Sequence, residues 1–113
     1  MDKLKKYGAI VKSAILKHAD FKEDSREESE IQIVLDETRH HYYLMDIGWN
    51  NMERIHVCLM HIDVKKNGKI WIQKDFTEDG IAAWLMDQGI PQKDIVLGFH
   101  APFKRSFTDF AVA

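Results

Sequence analysis

Six histidines are the residues of this 113-residue chain with most scope for chemistry. Their spacing restricts it. His40 and His41 are adjacent, so on a strand they point to opposite faces and cannot share a metal without a bend. His56 and His61 differ in parity and diverge as well. His61 and Asp63 do share a strand face, two residues apart, and could co-ligate a metal with a third group from elsewhere. No HExxH helix and no Cys/His ligand pattern accompanies them. The pair therefore reads as a hydrogen-bonded couple at a strand end, and no metal or cofactor is expected. His100 lies near Lys104, Arg105 and Ser106. A hydrolytic base there would need a nucleophile and an orienting partner, and no strand-turn-helix elbow of the GxSxG kind is present. Cys58, between Val57 and Leu59, reads as a packing thiol. Glu78 and Asp79 suit the start of a helix. Asp63 with Lys65 and Lys66 is the nearest approach to a nuclease-type cluster and lacks further acids. No catalytic residue is assigned, and a non-enzymatic protein is expected. An enzyme using the His61/Asp63 face is the alternative.

Five basic residues are candidates for phosphate contact: Lys65, Lys66 and Lys69 near a hairpin tip, and Lys104-Arg105 in the tail. A formal net charge of -2 argues against a protein held to nucleic acid mainly by phosphate neutralisation. A directionality-type DNA-binding factor is still a reading to test through that local patch.

The elements that position these residues follow from periodicity. Leu4, Tyr7, Val11, Ala14, Ile15 and His18 recur at three- and four-residue steps, which predicts an amphipathic helix over 3–19 with Asp2 as N-cap. Residues 20–29 are polar and acidic and read as a mobile connector, with Phe21 as its contact to the core. Four strand-like segments follow: one around Ile31, Ile33 and Leu35, then 41–49, 54–65 and 69–74. Their links, Asp36 to Arg39, Asn50-Asn51 and Asn67-Gly68, are short, which implies an antiparallel meander. Thr77 is the candidate N-cap of a second helix with Ile81, Trp84, Leu85 and Gln88 on one face. Gly89-Ile90-Pro91 terminates it. Ile95-Val96-Leu97 is too short to assign. Four phenylalanines, at 99, 103, 107 and 110, give the rest of the chain much to bury, so an ordered irregular C-terminal tail is expected. The order is α-β-β-β-β-α-tail, an α+β fold of one domain over 1–113.

A two-residue turn at Asn67-Gly68 would place Val64 opposite Trp71 and Asp63 opposite Ile72. Strict alternation then puts Cys58, Met60, Ile62, Val64 and Trp71 on one face, while the other also carries apolar side chains. A sheet wetted on one side should alternate apolar and polar. This one does not, so the five residues form the expected interface with a second copy or another protein, unless the tail covers them.

Apolar residues make up 45% and charged residues 30%, a globular composition. One cysteine excludes an intramolecular disulfide. No apolar run approaches membrane-spanning length, and no signal peptide is read. A cytoplasmic protein with no membrane partner is expected.

Several long strings are specific beyond any short motif: the run from His61 to Gln73 with NGKIWIQ at its end, TEDGIA (77–82), GIPQKDIVLGFH (89–100) and KRSFTDFAVA (104–113). Together they resemble the XisI-like family, named for a controlling factor of fdxN-element excision, over nearly the whole chain. Phe76 departs from the family pattern, where glycine is expected before the threonine. The resemblance implies the XisI-like fold and a context of site-specific DNA excision, of cyanobacterial type. It also implies an accessory role beside an XisH-like partner of nuclease-like fold, as a homodimer or in a complex. The resemblance carries no catalytic residues over.

Overall fold

The computed structural model describes residues 2–19 and 28–113. The proposed contact of Phe21 and most of the acidic connector lie outside these residues. Helix α1 spans Lys3–His18. The Asp2 carboxylate caps it, accepting from the backbone N–H of Leu4 (3.1 Å) and Lys5 (3.4 Å), two of the donors a helix start leaves unpaired. Strand β1 is Glu28–Asp36, β2 His41–Asn50, β3 Glu53–Val64 and β4 Ile70–Asp75. Helix α2 follows at Ile81–Asp87, then a short 3-10 turn, strand β5 (Ile95–Leu97) and a helical turn α3 (Pro102–Arg105).

The fold is α+β, as the pattern predicts, with one strand more than expected. The sheet has five strands in the order β1-β2-β3-β4-β5. The first four form the antiparallel meander, and β5 pairs parallel to β4. The unassigned run Ile95-Val96-Leu97 is this fifth strand. A parallel neighbour needs a crossover, and α2 supplies it. Three residues leave almost no periodicity to read, but Ile95 and Val96 are fully buried.

The core lies between one sheet face and the two longer helices. Tyr42, Leu44, Met60, Ile62, Ile70, Ile72 and Ile95 meet Val11, Ile15, Ile81 and Leu85 there. Gly8 lets α1 approach closely, since a Cβ at that position would stand 2.8 Å from the Tyr42 hydroxyl.

The β3–β4 turn corrects the expected register. Only Gly68 of the Asn67-Gly68 pair takes a positive φ (85°), so the two-residue turn with both residues left-handed does not form. Gly68 N–H bonds to Lys65 O (2.9 Å) and Lys65 N–H to Lys69 O (2.9 Å), which makes a three-residue loop with a glycine bulge. Pairing shifts by one residue: Val64 faces Ile70 and Asp63 faces Trp71. A one-residue slip exchanges faces. Ile70 and Ile72 therefore go inward with Val64 and Ile62, and Trp71 goes to the other side.

This overturns most of the predicted open face. Met60 and Ile62 are fully buried and Val64 nearly so, all under the helices. Cys58 is not with them. The pairing shifts between Met45↔Cys58 and Leu44↔Met60, so Leu59 is an extra residue in β3 and alternation is reset there.

Helix α2 starts later than Thr77. Gly80 precedes it without a side-chain cap, and the Asp75 carboxylate instead accepts from Ile81 N–H (2.8 Å) and Thr77 N–H (3.0 Å). Its end follows the expected stop. Gly89 is left-handed (φ 97°), Ile90 N–H returns to Leu85 O, and Ile90 is buried. The tail is anchored by backbone more than by aromatics. Ala111 bridges Val96 and donates to Ile95 O at 2.9 Å. Phe110 packs on the core, but Phe99, Phe103 and Phe107 are exposed. No helix among the described residues is long and apolar enough to cross a membrane.

Candidate functional site

The sheet face away from α1 and α2 carries both chemistry and apolar surface. Antiparallel partners share a face, so the register identifies its members. Val34 faces Tyr43 across β1–β2, and Met45 faces Cys58 across β2–β3. Ile47 and Trp49 continue the same parity along β2. Trp49 and Val34 are each 46% exposed, and Tyr43, Met45 and Ile47 are half-buried.

At one end of this strip sits a polar cluster. The His41 Nδ1–H donates to Asp63 Oδ1 at 2.8 Å, and the His61 Nε2–H donates to the same oxygen at 2.9 Å. Gln73 donates to Oδ2 at 3.2 Å. The His61 ring stacks on Tyr43, centroids 4.0 Å apart. Asp63 is 5% exposed. A buried carboxylate is tolerated only when its lone pairs are used, and here three donors use them. Burial pushes its pKa up, but the bonds from His41, His61 and Gln73 and the nearby His61 outweigh this, so the carboxyl titrates below its ordinary value. Each imidazole directs its hydrogen bond to Asp63, which orients the rings.

The expected His61–Asp63 couple is therefore present, and His41 joins it. A backbone irregularity in β3 makes the His41 contact possible. Leu59 resets the register so that His41 pairs with Asp63. In β4, Gln73 is the extra residue between Ile62↔Ile72 and His61↔Lys74. Alternation from Ile72 already puts Gln73 on the face of Trp71 and Asp63, where it donates to Oδ2. Sequence reading found neither His41 nor Gln73 for this cluster.

The remaining candidates separate. Cys58 is half-buried, its thiol donates toward Met60 O at 3.5 Å, and burial pushes its pKa up. The fifth expected interface residue, Trp71, is flanked by Lys65 (5.7 Å from the ring centroid) and Arg105 (4.9 Å). Of the basic candidates, Arg105 also donates to His100 O and Gly98 O, which holds it in the tail. Lys69 reaches Ala113 O at 3.4 Å. Lys65, Lys66 and Lys104 are exposed. Ser106 donates to Phe103 O and is not turned to His100, whose ring lies against Phe99.

The model of the XisI protein family matches residues 1–112. The chain belongs to the XisI family. Among solved structures, it is similar to an XisI-like protein from Anabaena variabilis ATCC 29413. The two are 41% identical with a TM-score of 0.89, over 97% of this chain and 99% of that one. It is also similar to the fdxN element excision controlling factor XisI from Anabaena variabilis ATCC 29413. That pair is 36% identical with a TM-score of 0.89, over 99% of this chain and 100% of that one. No curated protein gives a significant match. The five-stranded mixed sheet and its flanking helices are thus the XisI-family architecture.

Proposed function

We propose that this XisI-family chain is a non-enzymatic accessory factor that controls a site-specific DNA-excision reaction in the cytoplasm by binding an XisH-like protein. Family membership supports the context, because one similar structure is named as an excision controlling factor. The observation that carries the binding role is the strip Val34, Tyr43, Met45, Ile47 and Trp49 on the sheet face away from α1 and α2. Contiguous apolar surface of this kind marks protein–protein contact, and aromatic residues are enriched in such contacts. A second copy of the chain is the other occupant this surface would fit.

Met45→Asp tests the reading. The residue is half-buried at the centre of the strip and outside the core. The variant should fold, and should lose both co-purification with the protein encoded next to it and any self-association seen by sedimentation. A folded variant that associates like the parent protein overturns the proposal.

A second reading has one specific observation behind it. Lys65 and Arg105 flank the Trp71 ring, a cation–aromatic grouping suited to a nucleic-acid backbone and base. It requires DNA binding by the isolated chain that weakens steeply with salt.

A further inference from the structure

We infer that His41, His61 and Asp63 form a binding site for one borderline divalent cation of the zinc type. Their ligand atoms all lie within 4.8 Å of one another. Donors sharing one zinc stand roughly 3–3.5 Å apart, given metal–ligand bonds near 2.0–2.2 Å, so small rotations of the side chains close the site. The donor set selects the metal. Two imidazole nitrogens and one carboxylate oxygen suit zinc, cobalt, nickel or ferrous iron, whereas magnesium and calcium prefer all-oxygen sites.

The surroundings resemble those of a built site rather than a chance surface cluster. All three residues stand on the paired strands β2 and β3, which fix their backbones. The Asp63 side chain is 7% exposed, and the histidines are more open at 42% and 23%, so an ion can enter from the outer face. Gln73 holds Asp63 Oδ2 and leaves Oδ1 directed at both rings. Tyr43 fixes the plane of the His61 ring. Outer partners of this kind orient metal ligands.

Binding requires no backbone movement. In the metal-free form His41 Nδ1 and His61 Nε2 carry the hydrogens given to Asp63. In the bound form each neutral ring moves its hydrogen to the other nitrogen and offers the lone pair to the metal, so affinity falls in acid as protons compete. Three protein ligands leave at least one coordination position for water or for a group from a partner.

The test is equilibrium dialysis of the purified full chain against zinc, followed by elemental analysis, with magnesium as comparator. The expected result is one zinc per chain and no magnesium. His41→Ala changes a part-exposed residue and should keep the fold, checked by circular dichroism, while losing zinc at the same free concentration. His56→Ala should retain it. Gln73→Leu, at a positioning residue, should keep the stoichiometry and weaken affinity by about 10–100-fold. Cobalt should give a visible absorption spectrum in the parent protein that is absent from His41→Ala. A parent protein that binds no zinc, or a folded His41→Ala variant that binds it equally, overturns the inference. Neither result bears on docking, which Met45→Asp reads separately.

Discussion

Met60 and Met45 offer a direct test of the sheet register. Both lie near the middle of their strands, one on each face. Met60 is fully buried among the helix-facing core residues, and Met45 is half-buried opposite Cys58. In a sheet with strict alternation and a two-residue β3–β4 turn, Met60 would share an outer face with Cys58 and Trp71. The observed register predicts a large difference. Met60→Ala removes a fully buried side chain and leaves a cavity, which costs about 2–5 kcal/mol. Met45→Ala, at a surface away from the core, should stay within about 1 kcal/mol. A loss of about 3 kcal/mol lowers Tm by roughly 10–20 °C for a domain near this size. With a urea dependence of about 1–3 kcal/mol/M, it lowers the urea midpoint by roughly 1–3 M. Urea unfolding of the two alanine variants, followed by circular dichroism, measures both. Equal losses, or a Met60→Ala loss under about 1 kcal/mol, would refute the placement of Met60 in the core and the register that puts it there.

Two further perturbations address the ends of the fold. Asp75→Ala removes the acceptor for Ile81 N–H and for the Thr77 N–H and hydroxyl. It should cost about 0.5–2 kcal/mol in urea unfolding, with Asp75→Asn losing less because an acceptor remains. Tyr7 donates to Asp94, and its pKa is pushed up to about 12 by burial, then by that bond and the Asp94 charge. A raised folded value means the unfolded tyrosine ionises first. The stability Tyr7 contributes is thus full below pH 10 and is lost as pH rises to about 12. Stability measured across that range should fall less in Tyr7→Phe than in the parent protein, and an equally steep fall would remove Tyr7 as the cause.

The sequence carried the elements well where their signals are local. Asp2 caps α1, Gly89 and Ile90 end α2, and Ile31 and Leu35 are half-buried on the inward side of β1, opposite Asp46 and Tyr42, although Ile33 between them is 40% exposed. It failed where two signals compete. Asn67-Gly68 is a strong hairpin pair, but the choice between a two- and a three-residue loop depends on which side chains then enter the core. The longer loop buries Ile70 and Ile72 with Ile62 and Val64. The shorter one would turn Trp71 and the polar Gln73 inward and expose both isoleucines. Aromatic count also misled in the tail. Phe99, Phe103 and Phe107 are exposed, and the main anchor is the Ala111 backbone, paired to β5.

The site was less legible than the fold because it depends on irregular backbone. Continuing the Met45↔Cys58 pairing along β2 and β3 without the extra Leu59 would set His41 opposite Ile62, and Asp63 opposite His40. His41 and Asp63 would then project to opposite faces. With Leu59 inserted, they face each other and share a hydrogen bond. No residue type announces such a bulge, so parity counting found His61 with Asp63 and left the third group unassigned. Gln73, which shares the outer parity of Trp71, reaches the same carboxylate from β4. The extra residues Leu59 and Gln73 lie in neighbouring strands, and Leu59 is the one that changes which side chain reaches the buried carboxylate. Each stands outside the regular ladder, which weakens local pairing. The gain on the other side is a charged Asp63 with both oxygens hydrogen-bonded, in a position where a leucine or valine would pack without help. Irregular backbone that brings His41 to a buried charge is more readily understood as serving the outer face than as serving the core, which lies on the opposite side of the sheet.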